Sequence, residues 1–254
     1  MKIVVCCKVV PEEQDIAVNS DRSVNVARAA AKISQYDLNA IECAVQLAGD
    51  GGEVVALSAG SHKWLDNSKI RKDILSRGPA SLEMVVDDSL ENALPDVTAE
   101  VLAAVARRIG FDLVLCGEGS GDLYAQQVGL LLGEKLGAAC INAVQSVSVS
   151  GNVLTVERAL EDVTEVLEMP LPAVLSLTSD INVPKIPTMK AILAAGKKPS
   201  SVQDCAALGV SAAGVSAMSS VLAPEQADRL NNIIEGDSEE NIAAFVDNVL
   251  KALQ

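Results

Sequence analysis

The segment Gly117–Gly129 carries the residue types best suited to chemistry in this chain, because its glycines separate an apolar run from a predicted helix. The apolar run, Phe111–Cys116, predicts a strand covered on both faces, as in a parallel sheet. Glycine permits positive φ angles and close backbone approach, and a helix N-terminus offers unpaired N–H groups and a positive dipole end. These features favour a phosphate site, although glycines at such a turn can also serve only to reverse the chain.

Composition excludes several classes of function. The chain has 254 residues, 49% of them hydrophobic, and a formal net charge of −14, so it can build a sizeable core but repels nucleic acid. The N-terminal apolar run is too short for a signal peptide, and no apolar stretch approaches the length of a membrane span. We therefore expect a cytoplasmic protein that neither binds nucleic acid nor inserts into a membrane.

The spacing of the cysteines and of the histidine indicates neither a metal site nor a catalytic site. Six cysteines are scattered without a Cys-x-x-Cys pair, which predicts buried, reduced thiols. The single histidine, His62, cannot by itself build a histidine metal site or a catalytic triad. The sequence therefore predicts neither a metal site nor catalytic residues.

Apolar patterns predict an alternation of strands and helices in the first half of the chain. The predicted strands are Lys2–Val10, Glu53–Ala59, Leu82–Val86 and Phe111–Cys116, and the predicted helices are Gln35–Ala48, Asn67–Ser76, Asp96–Ile109 and Leu123–Leu136. This order predicts an α/β fold with a doubly wound, mostly parallel sheet and right-handed crossovers.

The second half predicts an antiparallel extension and an arm. Residues Val147–Glu168 alternate around a Ser-Gly-Asn turn, which indicates a hairpin, and Ala173–Leu177 predicts a further buried strand. We expect residues 1–200 to form the domain and residues 201–254 to form a C-terminal arm with a closing helix, Glu239–Leu253. Such an arm either wraps its own domain or embraces a partner.

A ligand site is expected where the strand order of the sheet reverses, because ligands of open α/β sheets bind there. If the first and fourth predicted strands are neighbours at that point, then Cys6–Lys8, Ser34–Asn39 and Gly117–Gly129 converge on one crevice. In the alternative interpretation, Asp37 and Asn39 lie on the solvent face of the first helix.

Three groups of motifs resemble one known family. Its nucleotide motif has an acidic residue, a glutamine and a glycine at the spacing of Asp122, Gln127 and Gly129. Its first-helix pattern Asn-Pro-Phe-Asp-x-Asn-Ala appears here as Ser-Gln-Tyr-Asp-Leu-Asn-Ala from Ser34. The sequence signature of the same family is similar to three segments of this chain, Val156–Arg158, Leu171–Val174 and Asn182–Met189. Over roughly residues 2–200, the chain thus resembles the β subunit of electron transfer flavoprotein, in its FixA-like branch.

This resemblance implies a Rossmann-like domain of the adenine-nucleotide hydrolase type in one half of an α/β heterodimer. Such proteins relay electrons between acyl-CoA-type dehydrogenases and other redox partners, in some members by flavin-based bifurcation, so the chain would be an electron carrier subunit rather than a stand-alone enzyme. The main FAD sits mostly in the α subunit. The β-subunit crevice holds AMP in ordinary members and a second FAD in bifurcating ones.

The resemblance also implies which residues contact the nucleotide. By position they are Cys6, Asp37, Asn39, Ala59, Gly117, Asp122, Gln127, Val128 and Gly129, and the loop N–H groups add Gly119, Ser120, Gly121 and Leu123. Because Asp122 is negative, we expect it to cap the following helix or to bind a ribose hydroxyl rather than a phosphate.

The same resemblance implies a docking loop. It also implies that the arm, residues 201–254, packs on the α subunit. The loop spans about residues 182–198, with Met189 at the apolar anchor position that enters the dehydrogenase. Ile186 and Leu193 are further apolar docking residues, and Lys185 and Lys190 would steer an acidic partner. In the alternative interpretation, the three apolar side chains pack on their own domain.

A different class of function remains open at this point. An adenine-nucleotide sensor of the universal-stress type, which binds ATP as a homodimer, would also suit an anion site without catalytic residues. Such a module ends soon after its fifth strand, whereas this chain continues through a hairpin, a proline-rich loop and a tail. An adenylating enzyme of the related hydrolase fold needs a pyrophosphatase loop near the first strand, and the sequence has none there.

Overall fold

The computed structural model of the chain describes residues 1–225 and 231–253, and a nine-stranded sheet forms the centre of that part. The strands are β1 (Lys2–Cys6), β2 (Val9–Pro11), β3 (Ala17–Val18), β4 (Val24–Asn25), β5 (Ala31–Ile33), β6 (Glu53–Gly60), β7 (Ser81–Val86), β8 (Leu113–Gly117), β9 (Ala139–Ser150), β10 (Val153–Ala159), β11 (Thr164–Pro170), β12 (Ala173–Leu177) and β13 (Ser200–Gln203). The helices are α1 (Gln35–Ala48), α2 (His62–Leu65), α3 (Ser68–Ser76), α4 (Pro95–Ile109), α5 (Val128–Leu136), α6 (Met189–Ala195), α7 (Cys205–Leu208) and α8 (Glu239–Ala252).

The strand order of the main sheet is β11-β10-β9-β12-β8-β1-β6-β7-β13. From β1 the chain adds β6 and β7 on one side and then returns to add β8 on the other side. β1 pairs in parallel with β6 on one side and with β8 on the other. The strands β7 and β13 continue one half of the sheet in parallel, and β12 and β9 continue the other half. The predicted doubly wound, mostly parallel sheet is therefore confirmed, and the point of reversal lies between β1 and β8.

Helices cover both faces of this sheet, and alternate strand residues serve the two faces. Ile3 and Val5 of β1 belong to a buried cluster with residues of α1 and α3. Val4 and Cys6 point to the opposite face and belong to a buried cluster with residues of α4 and α5. Burial on both faces explains why the central strands are continuous apolar runs.

The predicted antiparallel extension is present as β9, β10 and β11. β10 pairs antiparallel with both neighbours, and the turn before it has Gly151 at a φ of 61°, which favours glycine. β9 begins earlier than the predicted hairpin, at Ala139, and its first residues pair in parallel with β12. One long strand therefore joins the parallel sheet to the hairpin.

One expected strand boundary is wrong. The sequence predicts one strand over Lys2–Val10, but β1 ends at Cys6 and β2 leaves the sheet to pair with β5. Just after residue 200, where the sequence predicts that the arm begins, β13 pairs with β7 at the sheet edge and α7 contacts α4. The first residues of the predicted arm, 201–208, therefore pack on the domain.

Much of the remaining arm is exposed. α8 matches the predicted closing helix except for its last residue, and no residue of α8 is buried. Its apolar side chains recur at helical spacing as Ile242, Phe245, Val246, Val249 and Leu250. Residues 226–230 and 254 of the predicted arm lie outside the described residues. No helix within the described ranges is long and apolar enough to cross a membrane.

The cysteines are free thiols, as predicted. Cys140 is half-buried and the other cysteines are buried. Burial raises the pKa of Cys43 to about 12 and that of Cys205 to about 11. These thiols therefore remain protonated, and unreactive as nucleophiles, near neutral pH.

Candidate functional site

A cavity of about 680 Å³ opens at the carboxyl ends of β1 and β8, where the strand order reverses. Its volume falls within the range of about 300–1,000 Å³ that is typical of ligand sites. Its wall includes Cys6–Lys8, Asp37 and residues of Gly117–Gly129. The predicted convergence of three segments on one crevice is therefore confirmed.

Asp37, in the first turn of α1, joins the ends of the two strands. Its Oδ2 accepts a hydrogen bond from the Lys8 N–H at 2.7 Å, and its Oδ1 accepts one from the Gly117 N–H at 3.1 Å. Asp37 is buried, so the interpretation that puts it on the solvent face of α1 is wrong. Because Lys8 follows β1 and Gly117 ends β8, one carboxylate fixes the spacing of the two strand ends that border the cavity.

The protonation of this carboxylate is unusual. Burial raises the pKa of Asp37 from 3.8 to about 7, although the two N–H donors and the charge of Lys8 act in the opposite direction. The nearby carboxylate of Asp122 adds to the rise in pKa. Asp37 is therefore a group in the cavity wall that gains or loses a proton near neutral pH.

The loop glycines allow close packing rather than unusual backbone angles. A β-carbon at Gly117 would lie 2.7 Å from Oδ1 of Asp37, and one at Gly129 would collide with a serine side chain of β12. The left-handed φ angles of the loop belong instead to Tyr124, at 45°, and Gln126, at 57°. The absence of a side chain at Gly117, Gly119 and Gly129 therefore lets neighbouring residues of the protein approach the loop closely.

A pair of tyrosines shapes the loop. The rings of Tyr36 and Tyr124 lie 5.0 Å apart between centroids, tilted by 46°. The Tyr124 N–H donates to the carbonyl of Ser120 at 3.0 Å, and a β-carbon at Gly119 would come within 2.5 Å of the Tyr124 ring. The loop therefore packs on itself and on α1 before the next helix begins.

The N-terminus of α5 faces the cavity without a side-chain cap. The sequence predicts a helix from Leu123, but α5 begins at Val128, with Gln127 as its N-cap residue. The side chain of Gln127 makes no capping hydrogen bond, and Gln127, Val128 and Gly129 all line the cavity. The first N–H groups of α5 are therefore available to a ligand, and the helix dipole favours an anion there.

Lys8 and Asp122 form an ion pair in the wall of the same cavity. Lys8 Nζ lies 2.8 Å from Oδ1 and 2.6 Å from Oδ2 of Asp122. Burial acts to raise the pKa of Asp122, but the charge of Lys8 and hydrogen bonds from Lys8 and Ser120 outweigh it and lower the pKa. The helix-capping role expected for Asp122 is wrong, because α5 begins at Val128 and Asp122 pairs with Lys8 instead.

The opposite half of the cavity is mainly apolar, although Ser61, Glu91 and Asn92 also line it. Trp64, Leu65 and Leu90 line it beyond the end of β6, and Ile16 and Val24 contribute from the segment after β2. The cavity therefore has a polar end at α5 and an apolar end at α2.

Part of the arm closes the outer side of the cavity. Residues 218 and 221–224 belong to the cavity wall. The Ala223 N–H donates to the carbonyl of Arg22 at 2.8 Å, and the Arg22 guanidinium pairs with Glu225 at 2.6 Å. Within the described residues, this part of the arm wraps its own domain.

The cavity wall contains all but one of the residues predicted to contact a nucleotide. They are Cys6, Asp37, Ala59, Gly117, Gly119, Ser120, Gly121, Asp122, Leu123, Gln127, Val128 and Gly129. Asn39 is the exception: its side-chain amide donates to the carbonyls of Ser179 at 3.1 Å and Asn182 at 2.7 Å. The structure therefore places Asn39, which is buried, with the predicted docking loop and neither in the cavity nor on the solvent face.

Lys8 and Ser34 contribute to the polar end of the site although neither was among the predicted contacts. Lys8 lines the cavity at its polar end. A lysine directly after an apolar strand, in a sequence with a net charge of −14, is the signal that could have indicated a role in binding an anion. Ser34 is fully buried, and its Oγ accepts a hydrogen bond from the Gly121 N–H at 3.3 Å. Ser34 precedes α1, so α1 and the residue before it hold both β8 and the loop that follows.

The predicted docking loop projects from the domain. The exposed fractions of Ile186, Met189 and Leu193 are 91%, 72% and 73%, so the alternative that these side chains pack on their own domain is wrong. Lys185 Nζ pairs with the Glu42 carboxylate at 3.0 Å, and Lys190 is exposed. The structure thus presents an apolar surface beside an exposed lysine.

The fold and the site together define an α/β protein with its ligand crevice at the reversal of a doubly wound sheet. Residues 23–208 match the family model of the electron transfer flavoprotein domain, which is more than half of the chain. The chain therefore belongs to the electron transfer flavoprotein family. This membership does not favour the universal-stress-type sensor.

We expect Asp37→Asn to destabilise the protein by about 1–3 kcal/mol, because the amide nitrogen would face a backbone N–H and leave that buried donor without an acceptor. The loss should depend on pH. The folded state keeps the proton of Asp37 up to about pH 7, whereas the unfolded chain releases it near 3.8. The stabilisation from this group is therefore complete below the lower value and falls as pH rises to the higher one. Urea unfolding of both proteins at about pH 5 and about pH 8 measures the difference in the free energy of unfolding.

Asp112→Asn is the matched control, because exposed Asp112 accepts the Lys2 N–H at 2.7 Å at the opposite end of the same strands. It should cost less than Asp37→Asn. A deficit of Asp37→Asn that is equal or larger at the higher pH would contradict the assignment.

Proposed function

We propose that the chain is the β subunit of a heterodimeric electron transfer flavoprotein and that its cavity holds an adenine nucleotide. One observation carries this proposal: the N-terminus of α5 and the side chain of Lys8 both line one large cavity in a domain of this family. Both groups favour an anion of the size of a phosphate.

The cavity wall fits such a nucleotide. The N–H groups of Val128 and Gly129 and the Lys8 ammonium would receive the phosphate. Gly121 leaves room there, because a β-carbon at this position would have only Val10 as a neighbour, at 3.7 Å. Cys6 and Ala59, at the ends of β1 and β6, would flank the ribose or the adenine.

The apolar half of the cavity bears on whether AMP or FAD is bound. AMP would occupy the polar half, whereas FAD would also place its ring system against apolar side chains such as Trp64 and Leu90. The extent of that apolar wall supports a second FAD in this subunit, with AMP as the smaller occupant of the same polar end. When bound, a flavin supplies the electron-transfer chemistry, and the residues of this chain bind it, orient it and exclude water.

The partner of the chain would be an α subunit that holds the main FAD. The exposed apolar face of α8, which includes Phe245 and Leu250, supports this, because large exposed apolar patches mark interaction sites. The complex would relay electrons between an acyl-CoA-type dehydrogenase and other redox partners. The dehydrogenase would dock at Ile186, Met189 and Leu193, whose side chains are exposed.

The test of the nucleotide site uses the chain coexpressed with an α subunit and purified as a complex. We expect Gly121→Val to lower the nucleotide retained by this subunit about tenfold, because the side chain enters the cavity and overpacking costs about 1–3 kcal/mol. Chromatography and mass spectrometry of the nucleotides released by heat give the amount per complex.

Gly51→Val is the matched control, because nothing lies within 4 Å of a β-carbon at Gly51, which is far from the cavity. It should retain the wild-type amount. Full retention by Gly121→Val would show that the nucleotide lies elsewhere, and failure to form a complex with the α subunit would contradict the proposed function itself.

Docking is tested by Met189→Ala. Loss of an exposed apolar anchor costs about 1–2 kcal/mol at an interface hot spot, so kcat/KM for electron transfer from the dehydrogenase should fall at least several-fold. Flavin content and melting temperature should remain unchanged, because Met189 is 72% exposed. Val163→Ala removes a similarly exposed apolar side chain near the hairpin and should have no effect on transfer. Unchanged transfer kinetics for Met189→Ala would place docking elsewhere.

A further inference from the structure

The proposed docking residues Met189 and Leu193 lie on a short helix that has little packing of its own. Within α6, whose residues the structure describes in full, Ala195 is the only buried residue. The Thr188 side chain caps the helix by accepting the Ala191 N–H at 3.2 Å. Isolated helices of this length are unstable in water, because the first turn fixes several residues for one hydrogen bond. Contacts beyond α6 must therefore hold it in place.

The side chain of Lys198, three residues after the end of α6, supplies such a contact. Its Nζ donates to three carbonyl oxygens, those of Leu75 at 2.8 Å, Gly78 at 3.3 Å and Pro79 at 2.6 Å. Leu75 belongs to the last turn of α3, where carbonyl groups lack partners within the helix and favour a cation. Burial lowers the pKa of Lys198, since its ammonium group has exchanged part of its water shell for these oxygens. Three acceptors thus match the three donors of one ammonium group.

The backbone connects this contact to α6. The Lys198 N–H donates to the carbonyl of Ala195 at 3.2 Å, so the residue that carries the ammonium group is bonded to the end of the helix. The helix also packs on α3, and a β-carbon at Gly196 would lie 3.9 Å from Cε of Lys72. Lys198 therefore joins the end of α6 to the end of α3.

The start of the docking loop is held separately. Helix α1 contacts Asn182 and Lys185, which lie before α6 in the chain. These contacts by themselves fix only one end of the segment that carries Met189 and Leu193. A segment that is fixed at both ends loses less conformational entropy when a partner binds than a segment fixed at one end. The contact of Lys198 supplies the second fixed end.

We propose that Lys198 is a positioning residue for docking: its contacts with the carbonyls at the end of α3 hold α6, and with it Met189 and Leu193, in the orientation that the dehydrogenase binds. Lys198 acts through α6 and needs no contact with the dehydrogenase. This inference rests on the proposed docking at those two side chains and adds the residue that presents them.

The test uses the chain coexpressed with an α subunit, and an acyl-CoA dehydrogenase reduced by its own acyl-CoA substrate. We expect Lys198→Met to raise KM for the complex at least about threefold, because a mobile α6 must be ordered on docking, and to leave kcat unchanged. Flavin content should not change, because Lys198 lies outside the cavity wall. In hydrogen exchange without dehydrogenase, the amides of residues 189–195 should exchange at least about threefold faster than in the wild-type complex.

Two comparisons separate positioning from the other roles of a lysine. Lys197→Met removes the same charge from the adjacent, exposed residue and should keep the wild-type KM and exchange rates. Met189→Ala should reduce kcat/KM by a smaller factor in the Lys198→Met background than in the wild type, because a side chain that is no longer held in place contributes less to docking.

Three outcomes would overturn the inference. Equal increases of KM in Lys197→Met and Lys198→Met would show that these lysines act by charge alone. Effects of Met189→Ala and Lys198→Met that simply multiply would show that the two residues act independently. A wild-type exchange rate of α6 in Lys198→Met would show that the helix is held by other contacts.

The outcomes also separate this inference from the proposed function. A wild-type KM in Lys198→Met, together with slower transfer in Met189→Ala, would overturn the inference and leave the docking proposal standing. Unchanged transfer in Met189→Ala would overturn both. If Lys198→Met does not fold, Lys198→Gln, which keeps a polar side chain without the charge, takes its place, and an unchanged KM then overturns the inference.

Discussion

The carboxylate of Asp37 is the contact on which the rest of the site depends. It accepts the N–H groups of Lys8 and Gly117, which follow or end the two central strands at the point where the sheet reverses. Without an acceptor between them, these two buried donors would be unsatisfied and the strand ends would be free to separate. The Lys8 ammonium and the Gly117–Gly129 loop take their positions from the same two strand ends. One side chain in the first turn of α1 thus fixes the positions of the residues that form the polar end of the cavity.

The same helix also positions the docking loop. Two residues beyond Asp37, Asn39 donates to the carbonyls of Ser179 and Asn182, and its own carbonyl accepts from the Asn182 side chain at 3.0 Å. Glu42, which is buried, accepts from the Lys185 N–H at 3.3 Å and pairs with its ammonium group. Helix α1 therefore connects the cavity to the first residues of the predicted docking loop by direct hydrogen bonds. In the proposed electron carrier, this holds the cavity and the docking surface at a constant separation.

Sequence patterns predicted the fold better than they predicted the roles of single side chains. The apolar runs predicted the alternation of strands and helices and the bounds of α1, because burial on two faces and helical periodicity leave clear signals. The start of α5 could not be predicted, because Leu123 and Tyr124 fit a helical pattern while the stacking of Tyr124 on Tyr36 takes them into a loop. The partners of Asn39 and Asp122 lie far away in the chain, at Asn182 and Lys8, and no local spacing indicates such contacts.

The central claim is that the crevice held together by Asp37 is an adenine-nucleotide site, and a crystal structure of the complex purified without added ligand tests it most directly. The account predicts density for an adenine nucleotide in the cavity, with a phosphate within hydrogen-bonding distance of the Val128 or Gly129 N–H and near Lys8 Nζ. A complex whose cavity contains only water, or is filled by side chains of the partner, would contradict it, as would a nucleotide bound to this subunit at another place.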